Sequence, residues 1–132
     1  MGVRVSARGV GLARLFDFRT VRWGCAVAGR LQEAFPINAA GVARQIERFD
    51  GDLARQLRRA ATSVALNIAE GSGASGANRR QRYHSALGSA REVVACFDAA
   101  EAMSYVGPVA GASRRRLGVI LGTLTNVLRL RT

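Results

Sequence analysis

Residues 57–73 read LRRAATSVALNIAEGSG, and this segment decides the fold class. Its apolar residues recur at intervals of three and four, which places them on one face of an α-helix. They are Leu57, Ala61, Val64 and Ile68. Gly71 is predicted to end the helix by adopting the left-handed conformation that glycine tolerates best. The segment therefore predicts an amphipathic helix over about residues 52–71.

A polar line runs beside this apolar face, since Ser63, Asn67 and Glu70 follow the same intervals. Buried polar groups without partners cost about 1–3 kcal/mol each. We therefore expect these side chains to bond to a neighbouring helix or a second subunit. Because Glu70 stands near the negative end of the helix dipole, we expect Arg58, Arg91 or a neighbouring subunit to compensate it. The alternative is an acid–base pair of Glu70 with Glu92.

Three more helices are predicted, over residues 17–34, 78–106 and about 108–132, with a possible short helical piece at 42–49. Trp23 and Val27 form a second apolar side on the first of them, which suggests packing against sister chains. No stretch has the two-residue period of a strand. The prediction is an all-α, up-down-up-down antiparallel four-helix bundle over residues 15–132. Residues 1–14 are predicted to be a flexible basic arm.

The composition bounds the class of protein. The chain has 132 residues, enough for one domain with its own core. It lacks the run of about 18 apolar residues that a membrane span needs. Cys25 and Cys96 lie far apart on apolar faces without further metal ligands nearby, so we expect buried free thiols and a reducing, cytoplasmic location.

The residues do not assemble a catalytic set. A single histidine, His84, has no nucleophile or carboxylate at helical spacing, and the Glu-x-x-His pairs of di-iron bundles are absent from the sequence. We therefore expect a non-enzymatic protein without metal or cofactor.

The charge is the main indication of a partner. All 20 basic residues are arginine, against nine carboxylates, which leaves a net charge of +11. In the predicted bundle, one pole collects ten arginines against two acids, and the opposite pole nine against six. Such a one-ended surface suits a phosphate backbone, RNA or DNA. The candidate nucleic-acid contacts are Arg19, Arg22, Arg79, Arg80, Arg82, Arg129 and Arg131. The alternative is a charge distribution that solubilises the protein or meets an acidic protein, because aromatic residues are scarce outside the apparent core.

The motifs NIAEG at residues 67–71 and ALGSxxE at 86–92 carry a family resemblance. Over roughly residues 15–130 the chain resembles the four-helix-bundle family that includes the 23S rRNA intervening-sequence proteins and the accessory variability proteins of diversity-generating retroelements. The resemblance implies a small cytoplasmic bundle that forms a ring-shaped homopentamer. Retroelement members bind nucleic acid and a reverse transcriptase through a basic surface, which implies similar partners here.

By position, the resemblance implies packing and assembly roles for a set of motif residues. They are Asn67, Glu70, Gly71, Gly88, Ser89 and Glu92. Ser63, Trp23 and Val27 join this set as the polar and apolar residues expected to meet a neighbour. The sequence therefore predicts an RNA-binding adaptor that forms homo-oligomers. The alternative function is a structural or protein-interaction module that does not bind nucleic acid.

Overall fold

Helices make up all the regular secondary structure in the part of the chain that the structure, a computed structural model, describes: Arg30, Leu31, Ala34 and residues 37–129. Four helices are defined over these residues. They are α1 (Ala39–Glu47), α2 (Gly51–Gly73), α3 (Gly76–Ala102) and α4 (Gly111–Arg129). The predicted all-α class is confirmed for the described residues. The arm at 1–14 and most of the first predicted helix lie outside them.

The core follows the predicted apolar faces. Leu57, Val64 and Ile68 are buried on α2, whereas Ala61 is only partly buried. The faces of α3 and α4 contribute Tyr83, Phe97, Leu117, Ile120 and Leu124, all almost fully buried. Leu31 and Ala34, which are helical, belong to the same core. The end of the first predicted helix is therefore part of this core.

Polar contacts fix the directions of neighbouring helices. Ser63 of α2 contacts Ser89 of α3, whereas Glu70, later in α2, contacts Arg82, which is earlier in α3. The two helices therefore run in opposite directions. The same reversal holds for α3 and α4, where Arg80 bonds to Leu128 and Glu101 to Arg114. Both pairs are therefore antiparallel. We call the end where α2 stops, α3 starts and α4 stops the turn end, and the opposite end the far end.

α2 is longer than predicted at both ends. It begins after Asp50, whose side chain accepts a hydrogen bond from the Leu53 N–H at 2.9 Å. This bond satisfies one of the amides that a helix start leaves free. The helix then passes through Gly71 and ends at Gly73, so the prediction that Gly71 stops the helix is wrong. Gly71 is a buried residue inside the last turns, beside the Tyr83 ring.

α3 stops earlier than the predicted residue 106, because the chain turns at Ser104. The Ser104 N–H donates to the Glu101 carbonyl at 3.0 Å, and the Tyr105 N–H donates to the Ala100 carbonyl at 2.9 Å. Ser104 itself is left-handed, with φ 59°. This pair of bonds is the Schellman motif, which usually has glycine at the left-handed position. Because serine occupies this position, the sequence has no glycine there that would predict the end of the helix.

Replacing Ser104 with glycine is expected to raise the free energy of unfolding by about 0.5–1 kcal/mol. The left-handed conformation costs a non-glycine residue about 1–2 kcal/mol, and glycine avoids this cost. Part of the resulting gain in stability is lost because glycine has a greater conformational entropy in the unfolded chain. Denaturant unfolding measures the difference. Ser75→Gly is the control, since Ser75 has φ −138° and makes no side-chain capping bond. A loss of stability in Ser104→Gly would contradict the expectation.

None of the described helices combines the length and apolar composition that crossing a membrane requires.

Candidate nucleic-acid interface

Three of the predicted phosphate contacts, Arg79, Arg80 and Arg82, lie in the first two turns of α3 at the turn end. The sequence predicted all three as part of the basic pole and as nucleic-acid contacts. In the structure each has a different partner within the fold.

Arg79 is placed differently from the prediction, because it is buried with only 7% of its surface exposed. Its Nε lies 2.8 Å from the Ala74 carbonyl oxygen and 3.2 Å from that of Gly71. Carbonyls at a helix end have no partner within the helix and need a donor from elsewhere. Arg79 therefore closes the end of α2.

Arg80 and Arg82 lie closer to the surface but are also held. Arg80 donates through one terminal nitrogen to the Leu128 carbonyl at 2.8 Å, which closes the last turn of α4. Arg82 forms an ion pair with Glu70 at 2.7 Å, and both side chains are about half exposed. The negative charge of Glu70 was predicted to be compensated by Arg58, Arg91 or a neighbouring subunit. In the structure Arg82 compensates it instead. A hydrogen bond to a carbonyl does not neutralise a guanidinium, so Arg80 keeps its charge near the surface.

The predicted polar line makes the contact between helices that its spacing indicated. The hydroxyl oxygens of Ser63 and Ser89 are 2.7 Å apart, which links α2 to α3. The Asn67 amide donates to the Ser63 hydroxyl at 3.1 Å and to the Ser63 carbonyl at 2.9 Å. Gly88 and Glu92, the other two motif residues on α3, are exposed.

Several predicted contact residues lie outside the described part of the chain. They are Arg19, Arg22, Trp23, Val27 and Arg131. Arg129, the last described residue, ends α4.

At the far end, carboxylates are matched by arginines. Arg58 pairs with Glu47 at 3.1 Å and Arg55 with Asp52 at 2.7 Å. Arg114 bridges Asp98 and Glu101, at 3.0 and 2.9 Å.

Glu101 also holds the loop before α4, because its carboxylate accepts the Val109 N–H at 2.7 Å. This bond and the bond from Arg114 hold the pKa of Glu101 below its usual value. In the same way, Arg58 lowers the pKa of Glu47. Both carboxylates are therefore stabilised in their charged form.

The described arginines do not show the predicted one-ended field. Among the described residues, the turn end has four arginines against one carboxylate, Glu70, and the far end, to which the prediction assigned Arg30, has nine against five. The excess of positive charge is thus three at the turn end and four at the far end. The predicted asymmetry depends on arginines that lie outside the described residues. The arginines differ instead in whether they form an ion pair. Five of them form none with any described carboxylate: Arg44, Arg48, Arg59, Arg91 and Arg115.

An aromatic pair lies at the far end, where the sequence did not predict one because aromatic residues were expected to be scarce outside the core. Phe49 is 58% exposed, and its ring stacks on that of Tyr105 with centroids 5.5 Å apart and planes 5° from parallel. The guanidinium carbon of Arg48 lies 5.6 Å from the Phe49 ring centroid. The sequence carried no signal for its exposure, because an apolar residue directly before an N-cap such as Asp50 often packs against the helix that follows.

Among the described residues, no group of three His, Cys, Asp or Glu side chains could hold a metal ion. Cys96 is a buried free thiol, as predicted. Burial and the nearby Glu92 charge raise its pKa, so the thiol is a poor nucleophile. Cys25 lies outside the described residues.

The family was identified by comparison with known proteins. A family model described as 23S rRNA-intervening sequence protein matches residues 35–115, more than half of the 132-residue chain. The search of curated proteins and of solved structures gave no match. The matched span runs from α1 into the first turns of α4 and includes both the NIAEG and the ALGSxxE motifs. The chain therefore belongs to the 23S rRNA-intervening sequence protein family.

Proposed function

We propose that this protein is a non-enzymatic accessory protein that binds RNA through its arginine-rich surface. The observation that carries the proposal is a set of arginines that form no ion pair with any described carboxylate: Arg44, Arg48, Arg59, Arg91 and Arg115. A guanidinium without a carboxylate partner is available to a phosphate, which it can bind through two parallel hydrogen bonds.

The turn end contributes a second set of phosphate contacts in this proposal. Arg80 keeps its charge near the surface, and Arg82, which is paired with Glu70, lies two residues further along α3. Arg19, Arg22, Arg129 and Arg131 would join them there. Arg79 would act differently, by holding the shape of this end while its own side chain stays buried. Contacts of this kind neutralise phosphates without reading bases.

The assembly belongs to the same proposal. Residues 15–132 would complete an up-down-up-down bundle, and five copies would form a ring, as the family resemblance implies. Leu66 on α2 and Val119 on α4 are 47% and 44% exposed, and such apolar side chains are suited to contacts between copies. Trp23 and Val27 would contribute to the same contacts. Light scattering coupled to gel filtration measures the mass in solution, and a monomer at micromolar concentration would contradict the ring.

A fluorescein-labelled single-stranded RNA, titrated with protein at several salt concentrations, tests the RNA proposal. If about four phosphates are contacted, the slope of log affinity against log salt is about −3, and affinity falls roughly fifty-fold between 50 and 200 mM salt. The expected result is this steep dependence. Absence of binding at 50 mM salt, or an affinity that does not change with salt, would overturn the proposal.

Two matched variants locate the phosphate contacts. Arg59→Gln with Arg91→Gln removes two exposed arginines that lie in no described ion pair, and the slope is expected to become shallower by about 1.4. Arg55→Gln with Arg58→Gln removes the same charge from two arginines paired with Asp52 and Glu47. Its effect is expected to be smaller. Equal effects would contradict the assignment to the unpaired arginines.

The alternative function is a structural or protein-interaction module. The internal bonds of Arg79, Arg80 and Arg82 favour it, because they give these arginines a role in stabilising the fold that does not require RNA. Association with a protein that is insensitive to salt, with no RNA binding, would support this alternative. Among protein partners, a reverse transcriptase is the one that the family resemblance implies. The proposed location for either function is the cytoplasm.

A further inference from the structure

The far end of the molecule carries an aromatic surface beside two of the proposed phosphate contacts, Arg44 and Arg48. We call Phe49 and Tyr105 the aromatic platform. More than half of the Phe49 surface is exposed, although its ring already contacts Tyr105 and Arg48. An exposed aromatic ring beside cations is a typical surface for stacking a nucleic-acid base.

Both rings of the aromatic platform stand on backbone held by hydrogen bonds. The N–H groups of Phe49 and Asp50 donate to the Ile46 carbonyl at 2.8 and 2.9 Å, and the Asp50 side chain starts α2. The N–H of Tyr105 donates to the Ala100 carbonyl. The rings are therefore positioned before any ligand arrives, which lowers the entropy cost of binding.

The two non-glycine residues of the described chain with left-handed backbone lie beside the aromatic platform. They are Asn38, with φ 54°, and Ser104, with φ 59°. Both line a groove of about 940 Å³ between α1 with its flanking residues and the loop after α3. Ser104 takes the left-handed conformation in the Schellman motif that ends α3, and Asn38 takes it as the residue that precedes α1. The groove has the volume to accept a nucleotide.

The charge of the groove favours an anion. Arg44 and Arg48 line it and form no described ion pair. The neighbouring carboxylates are already taken, since Glu47 pairs with Arg58, and Glu101 pairs with Arg114 and accepts the Val109 N–H. A mainly apolar protein helix would leave both guanidinium groups of the groove without a partner. A phosphate would satisfy them.

We propose that this groove binds single-stranded RNA, with one base stacked on the aromatic platform and Arg44 and Arg48 on the flanking phosphates. Duplex RNA cannot use the platform, because its bases are already stacked on each other. The inference rests on the proposed RNA binding and adds to it a preference for unpaired bases and a defined place of contact.

Phe49→Ala tests the aromatic platform. Loss of one base–aromatic stack costs about 1–3 kcal/mol, so the affinity for a labelled single-stranded RNA is expected to fall about 5- to 150-fold. The affinity for the same sequence as a duplex is expected to stay unchanged, and Phe49→Trp is expected to retain single-strand binding. Met103→Ala is the matched control, since Met103 is an apolar side chain 60% exposed at the same end and does not line the groove. It is expected to leave both affinities unchanged.

The outcomes separate this inference from the proposed function. If the wild-type protein binds RNA and Phe49→Ala binds the single strand equally well, the aromatic platform is not a base site, whereas the RNA proposal stands. If the wild-type protein binds no RNA, both proposals fail. A change in solution mass in Phe49→Ala would show that the platform joins copies of the chain and would overturn the inference. Thermal unfolding of each variant verifies that it is folded.

Discussion

Replacing Gly71 with alanine is expected to lower the free energy of unfolding by about 1–3 kcal/mol, the cost of forcing an extra methyl group into a well-packed core. The added Cβ would lie 2.6 and 2.7 Å from two atoms of the Tyr83 ring. Real Cβ atoms do not approach that closely, and Tyr83, only 1% exposed, has no free space into which to move. Denaturant unfolding measures the change.

Gly73→Ala is the control for this prediction. Gly73 lies in the same last turns of α2, but an added Cβ meets nothing within 4 Å. Alanine favours a helix interior by about 1 kcal/mol over glycine, so this variant is expected to be neutral or more stable. If Gly71→Ala also gained stability, the close approach of α2 to Tyr83 would be refuted. Tyr83→Leu combined with Gly71→Ala is expected to recover part of the loss, because the ring atoms in contact are removed.

Replacing Arg79 with alanine is expected to cost about 2–4 kcal/mol of unfolding free energy. Hydrogen bonds from charged groups contribute about 1.5–3 kcal/mol each, and here one Nε serves the carbonyls of both Gly71 and Ala74. Lysine is expected to rescue little, because its ammonium group cannot reproduce the planar donor of arginine. Thermal and denaturant unfolding of Arg79→Ala and Arg79→Lys measure both effects.

Arg91→Ala is the matched control on the same helix. Arg91 is exposed and forms no ion pair with a described carboxylate, so its loss is expected to change stability by no more than about 0.5 kcal/mol. The effects of the two substitutions on RNA affinity are expected to have the opposite order. Arg91→Ala is expected to weaken binding, whereas Arg79→Ala is expected to weaken it only as far as it unfolds the protein. Similar stability losses in the two variants would contradict the structural role of Arg79.

Periodicity predicted the helices well because burial follows spacing. Leu57, Val64 and Ile68 are in the core as their intervals indicate, and the start of α2 was placed within one residue. The helix ends were less predictable. Glycine is the residue that most often ends a helix, but Gly71 lies within α2, where the absence of a side chain leaves room for the Tyr83 ring. A local pattern cannot distinguish these two uses of glycine, because the ring comes from another helix.

The candidate site was predictable only in part, for a related reason. The polar line at Ser63 and Asn67 was found because its spacing on α2 implies a partner. The fate of the arginines depends on which carbonyl or carboxylate lies nearby in space, so Arg79 could not be identified as buried. Phe49 was missed because the short helix α1 ends before it, and that end was predicted two residues later.

The first turns of α3 connect three helix ends through arginine. Arg79 holds the last carbonyls of α2 and Arg80 holds a carbonyl of α4, while both side chains start from adjacent residues. Fraying at the start of α3 therefore removes hydrogen-bond donors from the ends of both α2 and α4. The three termini form one cooperative unit, in which amide protons exchange together with solvent and not one helix at a time. Local opening at this end of the molecule is thus a single event that spans residues widely separated in the chain.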